Sequence, residues 1–119
     1  MSTEYGITTE SEDLKQLIAG QVEFRSLLLD AAATAAIGQV VQYNTTNNNY
    51  DDFTSDVTAE HYAVVAENKT LGGDTKVSCV VAGRVRKAAL DATAQADAEI
   101  ETALLKSGII AVGDNVRTS

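Results

Sequence analysis

Between residues 22 and 30 the chain alternates, with Val22, Phe24 and Ser26 on one side and Glu23 and Arg25 on the other. Leu27, Leu28 and Leu29 then break the pattern. A period of two is the mark of a half-buried strand, and shorter β-rich runs predict further strands at 39–43, 61–66, 75–82 and 109–112. In the run 75–82, Val77, Cys79 and Val81 share a face, and Gly83 permits a bend or bulge before residues 84–90 continue as strand with their basic side chains outward. The alanine-rich run 31–37 predicts a small-residue turn between strands, because helix propensity is a weak guide over so few residues. Residues 44–52 (Asn-Thr-Thr-Asn-Asn-Asn-Tyr-Asp-Asp) are dense in turn formers and predict a loop. A helical period occurs once. Ala96, Ile100, Ala103 and Leu104 fall at i, i+4, i+7 and i+8, predicting a helix over about 92–107. Asp91 or Thr93 can cap its start, Lys106 suits its negative end, and Gly108 fits the left-handed position beyond it.

The two ends differ from this body. Residues 1–14 carry Glu4, Glu10, Glu12 and Asp13 with no basic side chain, and Tyr5, Ile7 and Leu14 are isolated apolar points. Such a segment buries too little surface to offset its ordering entropy. Leu14 to Gly20 allows one helical turn that Gly20 would end. The expected organisation is a flexible N-terminal arm over 1–20 and a β-rich domain over 21–119. Residues 113–119 read as a polar tail, and no internal repeat is present.

Charge and composition narrow the functional classes. A net charge of −8 disfavours nucleic acid and anionic lipid as partners, since both require a basic face. With one cysteine, one histidine and no proline, there is no intramolecular disulfide framework or multi-cysteine zinc site, and turns must rely on Gly, Asn and Asp. No apolar run approaches bilayer length, and the acidic start lacks the order of a signal peptide. Aromatic residues make up 5% of the chain, so the core must be aliphatic.

Candidate chemistry is thin. His61 lies in an expected strand beside Tyr62, without a motif that supplies a nucleophile or an orienting partner, so it reads as a strand histidine and not a general base. Cys79 reads as a small buried hydrophobe. Asn48, Tyr50, Asp52 and Asp56 resemble a loosened calcium loop but lack the central glycine and the terminal glutamate. Gly72-Gly73 has no Lys-Ser/Thr behind it and is no phosphate loop, and the Asn-x-Thr triplets at Asn44 and Asn68 read as chance. Arg84, Arg86 and Lys87 form the basic cluster, expected to be a solvated strand face or a set of ion pairs. No catalytic, cofactor or metal residue is assigned.

Three stretches carry a more specific signal: Leu17-Ile-Ala-Gly20 leading from an acidic arm into a strand; Ile37-Gly-Gln-Val-Val41 closing a small-residue run; and residues 77–112, in which a Val-rich strand, Gly83-Arg-Val, Ala88-Ala-Leu90, an acid-rich helix and Leu104-Leu-Lys-Ser-Gly-Ile-Ile110 follow in turn. In order and spacing these resemble the lambda-type head decoration, or capsid-cementing, proteins of tailed bacteriophages, over most of residues 17–112. The chain departs from that family in lacking its common prolines, in its short arm, and in the 44–56 loop, which has no fixed counterpart.

The resemblance implies a mainly β fold with one late helix (α+β), a small β-tulip-like domain. It also implies a homotrimer at the local three-fold positions on the outer surface of the mature capsid. There it would bind the major capsid protein and cement neighbouring capsomers, without enzymatic activity or cofactor, after synthesis in the host cytoplasm. Twenty extended residues reach about 66 Å, and an arm can add a strand to an exposed sheet edge. Ile7, Leu14, Leu17 and Ile18 are the expected capsid-binding points. Two other classes stay open: a tail or fibre accessory module, and a small-ligand-binding or enzymatic β domain built around His61.

Overall fold

The structure, a computed structural model, describes residues 14–54 and 58–113. After a helical turn over 14–17 come strands β1 (Ile18–Leu29), β2 (Val40–Asn44), β3 (Asn49–Asp52), β4 (Tyr62–Val65) and β5 (Thr75–Arg86). A 3₁₀ turn (Lys87–Ala89), helices α1 (Ala92–Ala96) and α2 (Ile100–Lys106), and strand β6 (Ile109–Val112) complete the described chain. The fold is mainly β, a six-stranded mixed sheet in the order β1-β3-β2-β4-β5-β6, with further pairing between β1 and β5. That pairing bends the first five strands into a ring. β5 serves two neighbours along one edge: β4 at Val80 and Cys79, and β6, in parallel, from Gly83 to Arg86. Its other edge runs antiparallel to β1 from Thr75 to Val85.

Two apolar clusters follow from this curvature. All five ring strands point side chains inward, and Leu29, Val41, Ala63, Val65, Val77 and Cys79 fill the interior with Ala35, while Leu27, Tyr50 and Val81 pack at its margin. Outside the ring, Val40, Tyr62, Val64, Val80, Val85 and Ile109 meet Leu17, Leu90, Ala94, Ile100, Ala103 and Leu104. β4 passes between the clusters, which is why all four of its residues are buried. Phe53 and Tyr62 add an edge-on ring contact at 6.2 Å.

Several expectations change in detail. The helix expected over 92–107 is two short helices, because the chain turns extended at Asp97 (ψ 123°). Ala96 of the expected stripe is exposed and Ala94 is buried instead; Ile100, Ala103 and Leu104 are buried as the stripe requires. Asp91 caps α1 by accepting from Ala94 N at 3.1 Å, and its other carboxylate oxygen accepts from Val40 N at 2.9 Å, tying the helix to β2. Gly108 takes the left-handed conformation (φ 93°). The 44–52 loop is a hairpin: β3 pairs with β2 from Asp52–Val41 to Asn49–Asn44. Residues 84–86 are strand, but 87–89 are a 3₁₀ turn.

The boundary at residue 20 also moves. Leu17 is fully buried, Leu14 packs against the outer cluster, and Ile18 already pairs with Val85. Residues 14–20 therefore belong to the body, since Leu17 supplies apolar surface that the ring and the helices would otherwise leave open.

Candidate functional site

Nothing in the described residues gathers a catalytic set. His61 is exposed and lies edge-on to Tyr43 at 6.0 Å, while Glu67 is engaged elsewhere, accepting from Ser78 N at 2.8 Å. Cys79 is buried, and that burial, with a smaller contribution from Glu67, pushes its thiol up to about 12. Asn48, Tyr50 and Asp52 do not converge on a point: Asn48 meets Tyr43 Oη at 3.1 Å and Asp52 takes both Thr34 N and Thr34 Oγ1 at 2.7 Å, while Asp56 lies outside the described residues. Among the described residues no group of three or more His, Cys, Asp or Glu is placed to hold a metal ion, and no helix is long and apolar enough to cross a membrane.

The basic cluster separates into three roles. Lys87 pairs with Glu101 at 3.2 Å. Arg84 lies exposed across Gly20, where a side chain would press on its Cδ. Arg86 makes the most contacts: Nη1 donates to the carbonyls of Lys15, Gln16 and Ile18 at 2.9, 3.0 and 2.9 Å. Those are carbonyls of the helical turn and of the first strand residue, groups that a short helix leaves without partners. One guanidinium thus fixes the point at which the N-terminal segment enters the body, a role that the residue pattern alone does not reveal.

Two sheet edges flank this point. Among the described residues, β1 meets β3 only at Leu29–Tyr50, so residues 18–28 have an open edge opposite β5, and β6 pairs with β5 alone. Ile110 sits opposite Arg84 on β6, on the face turned away from the core-facing Ile109. Phe24 on β1 is 45% exposed and Ile110 is 42% exposed. Open edges are ready templates for strand pairing, and proteins ordinarily shield them; here the charges Glu23 and Arg25 flank the exposed Phe24. Of the expected contact points, Leu14, Leu17 and Ile18 lie at the root of this region, Leu17 within the core, and Ile7 lies outside the described residues. The arrangement suits docking by backbone pairing beside an exposed aromatic. Comparison of the chain with protein-family models and with curated proteins finds no match.

Proposed function

We propose that this protein is a structural decoration protein that binds the outside of an assembled phage capsid and cements it, as a homotrimer at local three-fold positions, through contacts with the major capsid protein. The supporting observation is the open β1 edge carrying Phe24, beside an anchored chain entry held by Arg86. The three stretches that resemble the decoration family fall at coherent places in the fold: the entry into β1, the turn into β2, and β5 through β6.

In this reading the thirteen residues before Leu14, about 43 Å when extended, reach a neighbouring subunit and pair with its backbone. The apolar contact residues on the body are Phe24 and Ile110, while Leu17 acts from the core by fixing where the segment starts. Such a protein works by binding the expanded lattice better than dissociated capsomers or the compact precursor. Each occupied site then stabilises the shell by about 2.7 kcal/mol at a free concentration 100-fold above the dissociation constant. Cosedimentation with expanded, undecorated shells of its cognate capsid protein tests the reading. Wild type is expected to pellet with shells, and Phe24→Glu, folded in solution, to pellet at least tenfold less. No cosedimentation of the wild type would refute it.

A further inference from the structure

Strand β1 is uncovered on three sides over a short stretch. From Glu23 to Ser26 all four residues are exposed, so neither face of the strand is packed there. One edge pairs with β5; the other, among the described residues, meets β3 only at Leu29. The register with β5 passes from Glu23–Ala82 to Phe24–Val80, skipping Val81. The extra residue therefore lies on β5, and β1 runs without a bulge from Val22 to Leu29. A bulge is one of the devices that spoil an edge for pairing, and this stretch of edge lacks it.

A second such device is a charge that meets its like when another copy approaches. Here the charges have opposite signs. Glu23 and Arg25 share a face, 3.9 Å apart, with side chains 61% and 66% exposed, and Phe24 lies between them in sequence. Two copies of one strand pair antiparallel about a two-fold axis perpendicular to the sheet, so that one residue faces its own copy. Centred on Glu23 or on Arg25, the pairing sets like charges directly opposite. Centred on Val22 or Ser26, it leaves both charges opposite uncharged residues. Centred on Phe24, it sets Glu23 opposite the partner's Arg25 and Arg25 opposite the partner's Glu23, with the two Phe24 side chains together on the other face. Opposite charges and aromatic pairs across strands both stabilise a sheet.

We propose that the free protein pairs with a second copy through β1, antiparallel and centred on Phe24, joining the two sheets edge to edge. The contact closes on two copies, because each edge is used once. Pairing from Val22 to Ser26 is a small contact, and two chains of net charge −8 repel, so the dimer is weak and reversible. The proposed shell contact uses the same edge. Pairing therefore covers that edge in the free protein and competes with attachment. The inference does not rest on the shell-binding reading, and its test uses no shells.

The test is sedimentation equilibrium of the full chain in 150 mM NaCl, from about 10 µM to about 1 mM. A reversible monomer–dimer equilibrium is expected. Glu23→Arg and Arg25→Glu, both at exposed side chains, are each expected to weaken it at least tenfold by setting like charges opposite. Glu23→Arg also makes the chain less acidic, so a dimer governed by net charge alone would tighten instead. Mixing the two single variants is expected to restore pairing between unlike chains, since each strand then meets opposite charges. The double variant carrying both substitutions is expected to match the wild type. A monomer or a trimer at every concentration, a dimer that Glu23→Arg leaves as tight as wild type, or a mixture that associates no better than its components would overturn the inference.

Discussion

Cys79 is the single thiol of the chain, and its position makes it inert. Its neighbours inside the ring are Val, Leu and Ala side chains, and a thiolate there would lose its hydration without gaining a partner. The folded protein is expected to resist a disulfide reagent at pH 8 and to react within seconds once unfolded in urea. The same burial gives a pH dependence. The thiol's ordinary value of 9.0 rises to about 12 on folding, so its contribution to stability is full below pH 9 and is lost as pH rises from 9 through 12. Burial likewise raises Tyr50 and acts in the same direction. Urea midpoints at pH 8, 9.5 and 10.5 are expected to fall in that order. Gly83 makes the opposite point, that a missing side chain can be essential. Its φ is 111°, and a Cβ would run into the backbone of Gln21 and Val22 on β1. Gly83→Ala is expected to cost on the order of 2–4 kcal/mol or to prevent folding, read from denaturant unfolding. The bend at Gly83 was legible because a glycine inside a strand pattern marks a bulge or a close backbone approach. The hydrogen bonds from Asn49 to Asp30 and Asp74 were not, since those partners lie 19 and 25 residues away and nothing local marks them.

At the scale of elements, alternation marks a strand with two different faces in β5, where Val77 and Cys79 are buried and Lys76 is exposed, whereas in β1 both faces are exposed from Glu23 to Ser26. β3 escaped because Asn49, Asp51 and Asp52, which surround Tyr50, have little strand propensity; its backbone pairs with β2 and Asn49 at its start donates to Asp30 and Asp74, and tertiary pairing overrides local preference there. The late helix was legible through Ile100, Ala103 and Leu104, but a stripe cannot reveal a break. Asp97 stops α1 and its carboxylate accepts from Glu99 N at 2.8 Å, a local turn that competes with helix continuation. The N-terminal helical turn was legible, but its docking on the body was not, because an isolated Leu17 has no visible partner in sequence. Its burial predicts that Leu17→Ala costs about 2–4 kcal/mol. Arg86→Ala, which releases three carbonyls, is expected to cost about 1–2 kcal/mol. Chemical denaturation measures both, and hydrogen exchange at Ile18 to Gly20 is expected to speed up in the Arg86 variant.

For the whole molecule, the body's lower limit is set by Leu14 and Leu17 packing against the outer cluster. Deleting residues 1–13 is expected to shift the melting temperature by no more than a few degrees while weakening shell binding. Deleting residues 1–18 removes Leu17 and the partners of Arg86, and is expected to destabilise the fold itself. The residues that form the proposed docking edge were only partly legible. Phe24 belongs to a readable strand, but that its edge, among the described residues, pairs with β3 only at Leu29 follows from topology, which no residue pattern encodes. With a net charge of −8, attachment made through charge would weaken as salt rises, whereas contacts through backbone pairing and Phe24 would persist. The central claim is that binding here stabilises a shell. It is tested most directly by heating decorated and undecorated shells side by side, at saturating occupancy and across a salt series, and following their disruption. Decorated shells are expected to break at a higher temperature at every salt concentration. Equal disruption temperatures would contradict the cementing role even if the protein were bound.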